Sequence, residues 1–287
     1  MNMQRFFFLL VAAIIFAGSV SAQVFKRQKH ELSIFAGGGL STLQYDLQTG
    51  KHKNGMGLQA GAGYAFFFHP SWGIRTGLEI EQFRANASLK NFSDSYDVKG
   101  ATADGDYTFS YTLDSYDETQ QALYLNIPLM LQFQTGRTYK MYAAAGGKVC
   151  FPLKATARTK KHGLATKGFF PEEGRTYDDL PQYGFGEYEY LKDKTGLDNL
   201  KLQFMLSAEL GLKWKIIKNN DLYTGFYADY GLSNIQSVND KTFVQSALSA
   251  DKPRMSPFIE SQVAGKPVTG EILPLAVGLK FRFTFLR

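Results

Sequence analysis

Apolar and polar residues alternate with a period of two along eight separate stretches of the chain. That is the pattern of half-buried β-strands. The stretches are about His30–Gln44, Gly55–Phe68, Trp72–Arg84, Ala122–Gln134, Thr138–Leu153, Leu200–Ile217, Leu222–Ile235 and Leu273–Leu286. The sixth carries the pattern furthest. Leu202, Phe204, Leu206, Ala208, Leu210, Leu212, Trp214 and Ile216 share one face, and the other face is polar, charged or small. Strands of soluble sheets run about 5–6 residues, whereas strands that cross a membrane need about 9–11. Most of these stretches reach the longer value.

The connections alternate strictly in length. His69-Pro70-Ser71, Thr135-Gly136-Arg137 and Lys218-Asn219-Asn220-Asp221 are tight turns of turn-forming residues. The connections between them are long, at about 45–54, 85–121, 154–199 and 236–272. Outer-membrane barrels have short periplasmic turns and long extracellular loops. An even strand count then places both termini in the periplasm. Phe66, Phe68, Trp72, Phe133, Trp214 and Phe285 fall near short-turn or C-terminal ends, with the parity of the apolar faces, as a periplasmic aromatic girdle would. In the second long connection Tyr107, Phe109, Tyr111 and Leu113 alternate, which predicts that the third and fourth strands project beyond the membrane as a hairpin. The expected fold is all-β: an eight-stranded antiparallel up-and-down transmembrane β-barrel with long extracellular loops.

The N-terminus is read separately. Phe6 to Gly18 is an apolar run of 13 residues behind Arg5, and Ser19-Val20-Ser21-Ala22 supplies the small residues of a cleavage site. Residues 1–22 are expected to be a secretory signal peptide and 23–287 the barrel domain. The run is short of the roughly 20 residues of a transmembrane helix.

Composition agrees with polar loops on aromatic-rich strands: 15% aromatic, with 24 Phe, 16 Tyr and 28 Gly. The net charge of +6 is not gathered into a stripe with interleaved aromatics, so nucleic acid is not an expected partner. The single Cys150 excludes an internal disulfide.

Candidate chemistry is sparse. Gly55-Met56-Gly57-Leu58-Gln59-Ala60 matches a dinucleotide-binding spacing, but its glycines begin a strand instead of a helix, so no cofactor is expected. Asp104-Gly105-Asp106 lacks the full ligand spacing of a calcium loop, and no metal is expected. The four histidines, His30, His52, His69 and His162, fall at the periplasmic end or in loops, away from a plausible nucleophile, so no catalytic residue is assigned. Charges with inward parity are Arg75, Glu79, Glu81, Lys148, Lys201, Glu209, Lys213, Asp229, Lys280 and Arg282. In a barrel this narrow they are expected to fill the interior as paired charges. In the third long connection Tyr177, Tyr183, Phe185, Tyr188 and Tyr190 are candidates either for contact with a partner or glycan or for packing of the loops on one another over the barrel mouth.

Tyr124-Leu125-Asn126-Ile127-Pro128-Leu129 resembles the Tyr-Leu-x-Ile-Pro-Leu strand of the PorT-like outer-membrane β-barrel family of Bacteroidetes. Ala144-Ala145-Gly146-Gly147 and the terminal Gly278-Leu279-Lys280-Phe281-Arg282-Phe283 resemble it too. Gly278, Phe281 and Phe283 also resemble the C-terminal signal read by the barrel-assembly machinery, with Ala276 in place of a polar residue and Arg287 in place of a terminal aromatic. The resemblance implies an outer-membrane location, with outer-membrane lipid and the assembly machinery as partners. An envelope protein partner is a further expectation. Some members of that family resemble components of a secretion assembly, which fold alone does not transfer. The leading expectation is a non-enzymatic, narrow or closed barrel whose loops bind a partner or ligand. A secretion or uptake subunit and a small-solute channel are the alternatives.

Overall fold

The eight alternating stretches are the strands of one ring. In a computed structural model, which describes residues 29–44, 50–99, 105–135, 140–197, 200–217, 220–235, 241–246, 252–263 and 265–285, they are β1 (Lys29–Gln44), β2 (Lys51–His69), β3 (Trp72–Val98), β4 (Tyr107–Thr135), β5 (Lys140–Phe170), β8 (Gln203–Ile217), β9 (Asn220–Gly231) and β15 (Leu273–Thr284). The connections carry short strands. β6 (Arg175–Tyr177) and β7 (Gly186–Gly196) lie between β5 and β8. β10 (Lys241–Thr242), β11 (Val244–Gln245), β12 (Arg254–Met255), β13 (Ser261–Val263) and β14 (Lys266–Pro267) lie between β9 and β15. Each ring strand pairs antiparallel with its neighbours in the order β1-β2-β3-β4-β5-β8-β9-β15, and β15 returns to β1. The predicted leader, residues 1–22, lies outside the described residues, as does Asp104.

Within the ring the apolar parity points outward. Ile34, Leu58, Ile74, Leu131, Phe204, Phe226 and Phe281 are exposed, while Glu79, Glu209 and Asp229, one position out of phase, are buried. A soluble sheet buries the opposite set, so this surface is built for lipid. At the short-turn end Trp72 lies opposite Phe133, with ring centroids 4.8 Å apart, and exposed Phe68, Trp214 and Phe285 continue the aromatic band.

Three strands are far too long for a bilayer. β3, β4 and β5 have 27, 29 and 31 residues, against about 9–11 for a spanning strand. Beyond Ile80 the polarity of β3 inverts: Phe83, Ala85, Ala87 and Leu89 face inward and are buried, and Arg84, Asn86 and Ser88 face outward. This is the alternation of a sheet in water. The expected β3–β4 hairpin is present and paired as far as Val98 and Tyr107. Residues 154–170, expected as loop, instead extend β5 along it, and β7 adds a fourth strand. The signal lies in Ala155, Ala157 and Thr159, which keep alternating with Lys154, Thr156, Arg158 and Lys160.

One row of this extension is irregular in three strands at once. Asn91, Asp114 and Gly163 sit side by side, Asn91 and Gly163 in left-handed backbone conformation (φ 49° and 60°). Above the row the buried parity switches in all three, from Leu89 to Phe92, from Tyr116 to Leu113 and from Lys161 to Leu164. Because each strand takes the same step, the register is kept and the same side of the sheet stays covered. Gly163 supplies the permissive backbone, and Asp114 lies over it where a side chain would collide.

Candidate functional site

The lumen holds one connected set of ions. Lys148 Nζ lies 2.6 Å from Glu79 Oε1, 2.8 Å from Asp229 Oδ2 and 3.7 Å from Glu81 Oε2. Lys280 Nζ is 3.0 Å from both Glu79 Oε2 and Glu209 Oε1, and Arg75 Nη2 is 2.6 Å from Glu209 Oε1. Gln132 Oε1 accepts from Arg75 and Arg282, and the Arg282 guanidinium lies 3.9 Å from the centre of the Tyr223 ring. Toward the short-turn end Lys213 Nζ joins Glu31 Oε1 at 2.7 Å and Asp221 Oδ2 at 3.1 Å, and the Tyr223 hydroxyl donates to Glu31. The network therefore comes from seven of the eight ring strands, β4 contributing only the neutral Asn126, Gln132 and Gln134 as hydrogen-bond partners.

All of the interior charges expected from parity are in this network except Lys201, which precedes β8 and is exposed. The ring adds Glu31 and Asp221. Glu31 has the inward parity of Ser33, legible in β1, while Asp221 falls at the end of the tight turn Lys218-Asn219-Asn220-Asp221 in the sequence and carries no strand parity there. Glu79, Glu81 and Asp229 bring carboxylate oxygens within 4.8 Å of one another, a cluster of the kind that holds a cation. The Lys148 ammonium already stands among them, so the cluster is filled by the chain itself. The dinucleotide-like Gly55–Ala60 lies inside β2 and opens no helix.

Above the ions comes an apolar layer. Phe83 and Tyr124 meet edge to face at 5.9 Å, with Cys150, Met205 and Tyr227 buried beside them. Above that again the last long connection covers the mouth. Phe243 and Phe258 stack at 5.1 Å and both meet Tyr116. Tyr96 Oη donates to the Val244 carbonyl and accepts from Ser246 N.

Glu118 anchors this cap. Its carboxylate accepts from the Tyr116 hydroxyl, from Gln120 Nε2 at 2.7 Å and from Phe258 N at 3.0 Å. Burial pushes its pKa up, against the pull of those three bonds. A raised carboxylate pKa means that the folded cap binds the proton more tightly than the open one. The stabilisation is complete below the ordinary value of 4.5 and is lost as pH rises through the raised one. The cap is thus tighter in acid. Trypsin cleavage after exposed Arg254 should speed up from pH 5 to pH 8 in the wild type relative to Glu118→Gln at each pH. A constant ratio would remove the burial penalty from the account.

Of the two arrangements open to the loop aromatics, packing against the chain accounts for four of the five. Phe185 is 1% exposed and sits on Gly168, where any Cβ would lie 2.2 Å from its ring. Tyr183 stacks on Phe185 at 5.7 Å, Tyr177 meets Phe170 edge-on at 5.6 Å, and Tyr188 is half-buried. Phe185 is therefore a core residue of the sheet beyond the lipid belt, because aromatic partners Tyr107, Phe109 and Phe170 on β4 and β5 supply a face for it. Tyr190 alone of the five is exposed, and it packs against His162 and Lys192.

The model of the outer membrane protein beta-barrel domain family matches residues 21–237. The chain belongs to that family. The match starts before β1 and ends just past β9, so it takes in seven of the eight ring strands. No curated protein matches the chain. Among solved structures the chain is similar to Neisserial surface protein A (10% identity, 91% of this chain and 100% of that one, TM-score 0.33). It is also similar to Ail, the attachment invasion locus protein of Yersinia pestis, solved with the heparin analogue sucrose octasulfate (11%, 90% and 99%, 0.29). A third is a major outer membrane protein of Thermus thermophilus (14%, 89% and 99%, 0.34). Family membership rests on the domain match and the ring of strands, not on these distant likenesses.

Proposed function

We propose that this outer-membrane barrel is a plugged, non-enzymatic platform that presents its extracellular sheet and capping loops to a partner or ligand, with both termini in the periplasm. The observation that carries this reading is the filled lumen: paired ions from Asp221 to Asp229, then the apolar Phe83–Tyr124 layer, then the Phe243–Phe258 cap. Eight strands leave an interior that side chains just fill, and ions so held are costly to part.

A small-solute channel would need a continuous water path through those three layers. The full chain reconstituted in planar phosphatidylcholine bilayers should therefore give no steady conductance. Steady unitary currents that change on Glu209→Gln or Arg75→Gln would replace the platform with a channel. For catalysis the histidine–hydroxyl contacts are His30 Nδ1 with the Tyr64 phenol, which ties β1 to β2 on the outer face, and His52 Nε2 with Thr42 Oγ1 at 3.0 Å, whose ring also bonds the Leu43 backbone and is likewise a tie between β1 and β2. The secretion-subunit reading draws on the strand Tyr124–Leu129, which here forms barrel wall. Extraction in mild detergent with a stoichiometric companion would favour it.

A further inference from the structure

The outward face of the sheet above the lipid belt is basic. In the row nearest the belt Arg84 lies beside Gln121 and Thr156. The next row runs Lys53, Asn86, Thr119, Arg158, Lys194, and the next Lys51, Ser88, Asp117, Lys160, Lys192. Seven of these side chains are cations and Asp117 is the one acid. They line most of a groove of about 910 Å³, whose lining also takes in Glu118 and Asp193, the first bonded to Tyr116, Gln120 and Phe258 and the second to Lys161.

The arrangement is unfavourable in isolation. Arg158 and Lys194 are cross-strand partners, as are Lys160 and Lys192, and like charges directly opposite destabilise a sheet. Among the described residues no carboxylate forms an ion pair with Lys51, Lys53, Arg158, Lys160 or Lys194. The acid nearest in sequence, Asp193, is already paired with Lys161 at 2.6 Å.

Height narrows the choice of anion. Ile80 is exposed to lipid on β3, and Arg84 and Ser88 follow on the same face. With a rise of about 3.4 Å per residue and a tilt of about 40°, Arg84 stands roughly 10 Å above Ile80 and Ser88 roughly 20 Å. Polar headgroups occupy the first 5–8 Å or so outside the hydrocarbon, and a saccharide headgroup reaches further. The remaining side chains of the rows are Asn, Ser, Thr and Gln, which bond phosphates and sugar hydroxyls; the rows hold no apolar anchor for a protein, and the one adjoining exposed aromatic, Tyr190, is already packed between His162 and Lys192.

We propose that this face binds the phosphorylated saccharide headgroup of an outer-leaflet glycolipid, with Lys53, Arg158 and Lys194 holding its phosphates. The proposal rests on the platform reading only for the placement of the sheet outside the membrane. The test titrates the full chain in non-ionic detergent with bisphosphorylated lipid A, with the same lipid after phosphatase treatment, and with soluble tripolyphosphate. A basic residue near an anionic surface contributes about fivefold in affinity. The exposed triple variant Lys53→Gln/Arg158→Gln/Lys194→Gln should therefore lose on the order of a hundredfold for lipid A while keeping the heat-modifiable gel mobility of a folded barrel. Wild-type binding should weaken steeply with salt. Unchanged affinity in the triple variant, or equal affinity for the dephosphorylated lipid, overturns the proposal. Binding of tripolyphosphate but not of lipid A also overturns it, in favour of a soluble polyanion. Maleimide labelling of Ser88→Cys on intact cells separates the two readings. Labelling without lipid A binding removes this inference alone, and failure to label removes the external platform with it.

Discussion

Lys148→Met should destabilise the barrel by about 3–5 kcal/mol, the range for removing one partner of a buried ion pair. The side chain is 2% exposed and its ammonium touches Glu79, Asp229 and Glu81. After the substitution Glu79 keeps Lys280, which it shares with Glu209, and Glu81 and Asp229 are left without an ion-pair partner among the described residues. Methionine fills the space left by the lysine stem, so the loss is electrostatic and not a cavity. Glu81 Oε1 and Asp229 Oδ1 already lack a hydrogen-bond partner among the described residues, so little is in reserve to absorb the change. Urea titration in phosphatidylcholine vesicles, read by gel mobility without boiling, measures the effect. Adding Glu81→Gln and Asp229→Asn removes two of the three acids and should restore most of the loss. A Lys148→Met barrel as stable as wild type would mean that the carboxylates find other partners, and the lumen would then be wetter than the paired ions suggest.

The ring was legible because its rule is local. A residue's parity decides whether it meets lipid or lumen, and Glu79, Glu209 and Arg282 could be placed inside without knowing their partners. The extension above the membrane was harder to read for two physical reasons. Its polarity is the reverse of the belt's, so Phe83 and Tyr124, inward, interrupt a pattern in which inward means polar. Then the row at Asn91, Asp114 and Gly163 changes the parity itself, so that Tyr107 and Leu113 share the numbering of lipid-facing Leu131 and yet are buried in the covered face. Alternation along one strand shows that it is a strand. Which side is covered depends on the other chain segment that arrives there, and Phe185 and Phe258 come from far along the sequence. The same applies to the basic groove. Its cations are spread over β2, β3, β5 and β7; the basic run from Lys154 to Lys167 is local to β5, but only the register brings Lys53, Arg158 and Lys194 into a row.

Gly39→Val should prevent most of the chain from closing its ring. Gly39 of β1 lies opposite Gly278 of β15 on one side and Gly57 of β2 on the other. A Cβ at Gly39 would stand 2.2 Å from the Val277 carbonyl oxygen and 2.4 Å from Gly278 Cα, and one at Gly278 would stand 2.2 Å from the Gly38 carbonyl oxygen. The obstruction is backbone on both sides, so no rotamer change relieves it. Glycine here permits the close approach of strands at the seam where the first and last meet. Overpacking against movable side chains costs about 1–3 kcal/mol, and a collision with fixed backbone should lie at or above the top of that range. Refolding into lipid vesicles, scored as the protease-resistant, heat-modifiable fraction, should fall by at least about tenfold. Gly270→Val, with nothing within 4 Å of its Cβ, is the matched control and should stay within about 0.5 kcal/mol of wild type. If Gly39→Val refolds like Gly270→Val, the β1–β15 seam is looser than its register implies, and the ring closes through some other pair of strands.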